Sequence, residues 1–257
     1  DQDDRDQGDA QAAMSTLLAY LPYDFDPTHA TAIVLILALW GFYTPILGML
    51  GRGSLNSQLH VVRMRWLKVH QSTDREHRVF DAILLGHISN SISYFGSGTL
   101  LVLAGLVGAL ANVNSVFNLT RGLAFIDHTM SLQLFTLCVF LLAAILAQCF
   151  FSFTYALRKM AYTFAMLGGL QSTKADSVEA RVMGEQSAVV LTEAVRSINT
   201  GIRGYYYAVA AMFLFAGPYA CIAATLAITA LLYYRQLFSP TAAAIAKYVD
   251  VLKQAKG

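Results

Sequence analysis

An all-α polytopic membrane protein, built as a four-transmembrane-helix bundle with amphipathic helices on its inner side, is the fold this sequence predicts. Three observations predict it. Hydrophobic residues make up 56% of the 257 residues and charged ones only 13%, about half the ~25% charged share usual in soluble domains. The apolar residues are gathered into four blocks, residues 30–50, 92–111, 131–155 and 204–234, none of which contains Asp, Glu, Lys or Arg. The cations cluster in the segments that flank these blocks. About 20 helical residues at 1.5 Å each cross a hydrocarbon core of ~30 Å, and a helix satisfies its own backbone hydrogen bonds there.

Residues 1–29 form an acidic tail leading into the first span, with Asp1, Asp3, Asp4, Asp6, Asp9, Asp24 and Asp26 against a single arginine. Its start has the composition of a solvated tail and lacks the basic, apolar pattern of a signal peptide. The membrane domain is expected over residues 30–234, with a C-terminal tail over 235–257. After the first span, Leu55, Leu59, Val62, Trp66 and Val69 recur at alternating four- and three-residue steps, which places them on one stripe of a helix. Arg63, Lys68 and His70 lie off that stripe. Thr73 with Glu76 reads as a capping box, so a further helix is expected to start near Asp74 and run through Asp81 into the second span.

The second span opens with a polar ladder of His87, Ser89, Asn90, Ser91, Ser93, Ser97 and Thr99. Small hydroxyl residues in a membrane helix permit close helix approach; a polar path for a solute or proton is the rival reading, with His87 as a titrating group. The third span ends on Phe151-Ser152-Phe153-Thr154-Tyr155 followed by Arg158, Lys159 and Tyr162. Aromatics and cations at a membrane boundary anchor a helix, and an arginine fork there also suits a phosphate or anionic lipid.

Residues 171–177 are polar and turn-favouring, so a hinge is expected in the third connection. Ala188, Leu191, Val195, Ile198 and Ile202 then repeat at steps of three and four, a second seam expected to pack on the first as an inner cap, with the more basic first helix lying flat on anionic headgroups as the alternative. The fourth block opens on Asn199-Thr200-Gly201-Ile202-Arg203-Gly204-Tyr205-Tyr206-Tyr207, where Gly201 and Gly204 allow close backbone approach. This block exceeds one perpendicular crossing, so it is expected to tilt, project, or bend near Gly217-Pro218, with two helical halves as the alternative.

The first connection carries Arg52, Arg63, Arg65, Lys68, Arg75 and Arg78, and the third carries Arg158, Lys159, Lys174, Arg181, Arg196 and Arg203, whereas the second has only Arg121. The positive-inside rule therefore puts connections one and three inside and both termini outside. Arg235, Lys247, Lys253 and Lys256 conflict with that placement of the C-terminal tail, and a re-entrant final segment would account for them.

A net charge of +2 with a pI near 8.4 and cations confined to membrane-flanking segments exclude a nucleic-acid partner. Cys138, Cys149 and Cys221 sit in apolar blocks without metal-ligand spacing and are expected to be small buried hydrophobes. No phosphate-binding glycine loop, zinc-binding His-Glu-x-x-His or nucleophile elbow is present, so no cofactor, metal or catalytic residue is assigned. The candidate binding or interhelical residues are Asp81, His87, Asn90, Ser91, Ser93, Arg158, Asn199, Arg203, Tyr205 and Tyr206; Asp74 with Arg78 and His77 with Asp81 have the i,i+4 spacing that supports an exposed helix, and a pair between Arg203 and Asp81 across the bundle is the alternative.

Three of these stretches carry a likeness: residues 74–101 with their Ser91-Ile92-Ser93-Tyr94-Phe95-Gly96-Ser97 core, residues 151–162, and residues 199–211 with Gly201-Ile202-Arg203-Gly204-Tyr205-Tyr206-Tyr207-Ala208. On them the chain resembles the integral membrane family known as domain of unknown function 599, over about residues 26–238. The resemblance implies a multi-helix membrane protein and carries no activity, substrate or catalytic residue with it. His87 and Ala161 stand where the family pattern has Asn.

The expected role is a non-enzymatic accessory or assembly subunit that binds membrane lipids and other integral membrane proteins, or further copies of itself. A small-solute or ion transporter using polar residues of the second and fourth spans is the alternative, and it requires those residues to face one cavity. A lipid-modifying membrane enzyme ranks third for want of a nucleophile. The expected location is a cell inner membrane, with an organellar inner membrane as the alternative.

Overall fold

The computed structural model describes residues 22–49, 54–72, 75–123, 126–127, 129–170 and 177–254, with backbone alone at 69–72 and 75–78. Among these residues the order is α1 (Pro27–Met49), α2 (Leu55–Ser72), α3 (Arg75–Ala111), α4 (Val113–Thr120), α5 (Leu132–Leu170), α6 (Val178–Met212), a 3-10 turn (Phe213–Ala216), α7 (Pro218–Leu237) and α8 (Pro240–Gln254). Four stretches are long and apolar enough to cross a membrane: Pro27–Met49, Val79–Ala111, Leu132–Leu170, and Pro218–Gln254, in which α7 continues into α8. The all-α polytopic architecture is thus as the uncharged blocks predict.

The central unit is the antiparallel pair α5 and α6. At 39 residues, α5 is about 58 Å long and projects well beyond a bilayer core. Its partner follows it from end to end. Gly169 lies against Met183 and Phe153 against Gly201, Lys159 donates to the Glu193 carbonyl at 3.2 Å, and the rings of Phe135 and Phe215 meet at 5.3 Å. The second half of α6 therefore runs alongside the apolar part of α5. It carries Asn199 and Arg203 there, sheltered by its neighbours.

The fourth apolar block is two helices and not one. Gly217 adopts φ +115, a backbone conformation disfavoured for residues with a Cβ. Pro218 has no N–H to continue the ladder, and sits at the first turn of α7, where none is needed. The chain consequently folds back: the Tyr207 and Thr229 hydroxyls hydrogen-bond at 3.1 Å, and Arg235 donates to the Tyr206 hydroxyl at 3.0 Å. Of the two expectations for this block, the tilted or bent single crossing is replaced by the pair of halves.

That reversal corrects the placement of the C-terminus. Asp24 accepts from the Ser131 amide at 2.7 Å and its hydroxyl at 2.6 Å, and the Asp127 amide donates to the Phe215 carbonyl at 3.0 Å. The N-terminal approach, the start of α5 and the α6–α7 turn thus share one end. At the opposite end the Leu55 amide donates to Gln236 at 3.2 Å, and α8 packs on α2. Asp24 and α8 thus stand at opposite ends of the bundle, so Arg235, Lys247 and Lys253 join the end that carries α2, and their conflict with the positive-inside rule disappears.

The two inner seams do bring α2 onto α6, but through an unexpected face. Asn56 and Leu67 are the buried residues among the described side chains of α2, and His60 Nδ1 and Arg63 reach the Thr192 hydroxyl at 2.9 and 3.2 Å. Arg63, placed off the seam by periodicity, faces α6, and its burial pulls the guanidinium below its ordinary range. A polar stripe anchors this contact because Thr192 and the Asn56 carbonyl give the buried donors partners. Helix α3 does begin at Arg75; the capping box itself lies outside the described residues, as do residues 171–176 of the expected hinge. Ser177 caps α6 by accepting from the Ala180 amide at 3.0 Å.

Candidate functional site

The candidate residues fall into three places and do not share a cavity. On α3, His87, Asn90, Ser91 and Ser93 are all exposed. The Ser91 and Ser93 hydroxyls donate back to the His87 and Ser89 carbonyls at 3.0 Å, the usual way a helix accommodates them. His87, Asn90, Ser91, Ser93 and Ser97 of the polar ladder point away from α5, whereas Thr99, its last member, joins Leu85, Ile92 and Gly96 on the buried face. Asp81, on the same helix, accepts from the Trp66 indole N–H at 3.0 Å.

Tyr205 ties α3 to the rest. Its hydroxyl donates to the Phe95 carbonyl at 3.0 Å and also meets the Thr99 hydroxyl. Its ring closes a triad with Phe95 and Phe153 at centroid distances of 6.2 and 5.6 Å. Close approach at this level depends on two glycines, as the sequence predicts. A Cβ on Gly201 would stand 2.7 Å from the Phe153 ring; one on Gly204 would overlap the Cys149 sulfur and press on Trp40 at 3.3 Å. Cys138, Cys149 and Cys221 are buried thiols, as expected.

Arg203 does not pair with Asp81. Its guanidinium lies 4.7 Å from the centroid of the Tyr43 ring and donates to the Thr200 hydroxyl at 3.2 Å. Tyr43 in turn stacks on Tyr233 at 4.8 Å. The face of an aromatic ring stabilises a cation electrostatically, so the ring takes the role expected of a carboxylate. The reason is position: Arg203 faces α1 and α7, and Asp81 stands at the start of the α3 span beside α2. Asn199, half-buried one turn earlier, completes this stretch, and Tyr206 accepts from Arg235.

The third place is a groove of about 450 Å³ between α5 and α6, lined by Gln148, Phe151, Tyr155, Arg158, Arg196 and Thr200, together with Ser152, Thr154 and Ser197. Arg158 Nε donates to the Tyr162 hydroxyl at 2.6 Å. Arg196 pairs with Glu193 at 2.8 Å, while Lys159, 3.8 Å from the same carboxylate, lies 4.5 Å from the Tyr155 ring. Gln148, Arg196 and Ser197 are the members of this site that sequence reasoning missed. Arg196 enters the sequence argument only as a charge in a connection. Continuing the antiparallel register of the α5–α6 hairpin would have brought it level with Arg158. Among the described residues no group of three His, Cys, Asp or Glu side chains is placed to hold a metal.

A helical bundle with four membrane-crossing stretches, an aromatic-glycine core and a basic groove at one end defines a polytopic membrane protein. Within that class the chain belongs to the family of proteins of unknown function DUF599, whose match runs over residues 31–241. No curated protein and no solved structure matches it.

Proposed function

We propose that this protein is a non-enzymatic accessory or assembly subunit of a cell inner membrane, which binds lipids and joins other membrane-spanning helices, or further copies of itself, through α3. The observation that carries the reading is the outward face of α3. His87, Ser91, Tyr94, Gly98, Leu101 and Gly105 are exposed along it, with Tyr94 76% and Leu101 75% accessible. Ser91, Gly98 and Gly105 recur every seven residues, and no atom lies within 4 Å of a Cβ built on either glycine. Small residues repeated on one face let a second helix approach closely, and polar side chains beside them supply interhelical hydrogen bonds. Transport draws less support, because His87, Asn90, Ser91 and Ser93 of α3 are exposed on its outer face while Arg203 of α6 faces the Tyr43 ring.

Purification from native membranes in mild detergent tests this. The wild-type protein is expected to carry a stoichiometric membrane partner or further copies of itself. Gly98→Leu with Gly105→Leu is expected to release that partner while leaving thermal unfolding of the single chain unchanged, since both sites open onto free space. A wild-type chain that leaves native membranes alone and monomeric sinks the proposal.

A further inference from the structure

The α5–α6 groove combines features that an amphiphilic anion would need. Its lower part, from Gln148 and Phe151 to Tyr155, belongs to the apolar stretch of α5, and its upper end carries Arg158 and Arg196 on facing helices. From Gln148 to Arg158 the helix rises about 15 Å, enough for a headgroup and the first part of an acyl chain. Lys159 and Arg196 share one carboxylate, Glu193, and Arg158, turned to Tyr162, adds a third cation, so the groove end carries two positive charges in excess. Lys159 is turned to the Ser197 hydroxyl at 3.0 Å and to Glu193. The two arginines keep donors beyond those used on Tyr162 and Glu193. Planar guanidinium forks bind phosphate oxygens in pairs, and Thr200 and Ser152 add hydroxyls to the lining.

We infer that this groove holds an anionic phospholipid, with its phosphate between Arg158 and Arg196 and its proximal acyl chain along Phe151 and Tyr155. The inference rests on the lipid-binding half of the proposed function and names the lipid class and the residues that select it. Site and bilayer are in register: Arg158 follows directly on the apolar block that ends at Tyr155, where headgroups lie and where basic residues face an anionic leaflet.

Native mass spectrometry of the detergent-purified chain, titrated separately with phosphatidylglycerol, phosphatidylcholine and inorganic phosphate, tests this. The wild-type chain is expected to bind phosphatidylglycerol in preference to phosphatidylcholine, with no competition from phosphate. Loss of charge-assisted hydrogen bonds in the Arg158→Gln, Arg196→Gln double variant is expected to weaken phosphatidylglycerol binding about tenfold, whereas Arg181→Gln, an exposed site paired with Glu185, matches wild type. Arg158→Lys with Arg196→Lys preserves charge and removes the forks, so it supports the site if binding weakens at unchanged helicity, even where the glutamine variant misfolds. Equal uptake of the two lipids, displacement by inorganic phosphate, or wild-type affinity in the lysine variant overturns the assignment. Any of these leaves the α3 assembly reading standing, since that is read from the Gly98 and Gly105 variants.

Discussion

Helices α3 and α6 both pack on α5 and both carry small and polar residues, yet they use them in opposite directions. On α6, Gly201 and Gly204 face inward, against Phe153, Cys149 and Trp40, and the backbone approaches α5 as closely as those side chains permit. On α3, Gly98 and Gly105 face outward onto empty space, and α5 is its main neighbour in the chain. The contrast separates two uses of one residue type: a small residue matched to a bulky neighbour builds the monomer, whereas one without a neighbour leaves room for something else.

The sharpest way to break this comparison is to add one methyl group to each helix. Gly204→Ala is expected to destabilise the chain by about 1–3 kcal/mol, the usual cost of overfilling a packed site, with a corresponding fall in the thermal unfolding temperature in detergent. Gly98→Ala, by contrast, is expected to be neutral or slightly stabilising, because alanine is the better helix former and meets nothing. Equal losses at the two positions would mean that α3 is packed where it stands open here.

A smaller effect is expected at the link between the two helices. Tyr205→Phe removes the hydroxyl that bonds Phe95 and Thr99 and is expected to cost about 1 kcal/mol. Tyr94→Phe alters an exposed hydroxyl on the outer face of the same helix and is expected to leave single-chain unfolding unchanged. Thermal scans of the two variants side by side make the measurement.

The smallest effect belongs to the acidic end, away from either helix. The Thr28 hydroxyl and then the His29 backbone and ring hold the Asp26 carboxylate down to about 2, from an ordinary 3.8. A carboxylate with a lowered folded value stabilises the fold fully above its unfolded value, and that contribution fades as pH falls through the folded one. Wild type is therefore expected to lose slightly more stability than Asp26→Asn on acidification from about pH 4 to about pH 2. Because Asp26 is exposed, the difference is small, and parallel acid titrations followed by circular dichroism would detect it.

Three crossings were legible in the sequence because uncharged blocks report burial in lipid directly: α1, α3 and α5 coincide with the first three blocks and extend beyond them. The α6–α7 reversal was less legible. Hydropathy is continuous through Gly217-Pro218, so the run of apolar residues conceals a turn that needs only one glycine of positive φ and a proline without an N–H. The glycines of α6 could be read as close-approach positions, but the direction of α3 could not, since a polar ladder looks the same whether it faces a cavity or the outside. The groove depends on register: Arg158 and Arg196 are 38 positions apart in the chain, and only the antiparallel course of α5 and α6 makes them neighbours. Arg203 was recognisable as a charge at the entry to the fourth block, while its ring partner Tyr43, on α1 and 160 positions earlier in the chain, was not.

The reversal at Gly217 also bears on how the polypeptide enters a bilayer during synthesis. The second half of α6 contains an arginine and an asparagine, and an arginine at the centre of an isolated inserting helix costs about 2.5–3.5 kcal/mol on translocon scales. Joined to the strongly apolar α7 by the 3-10 turn and Gly217, it can partition as half of a helical hairpin after α5 is already in place. Biogenesis of the fold would then have an obligatory order, with the least lipid-soluble segment inserted late and chaperoned by its own neighbours.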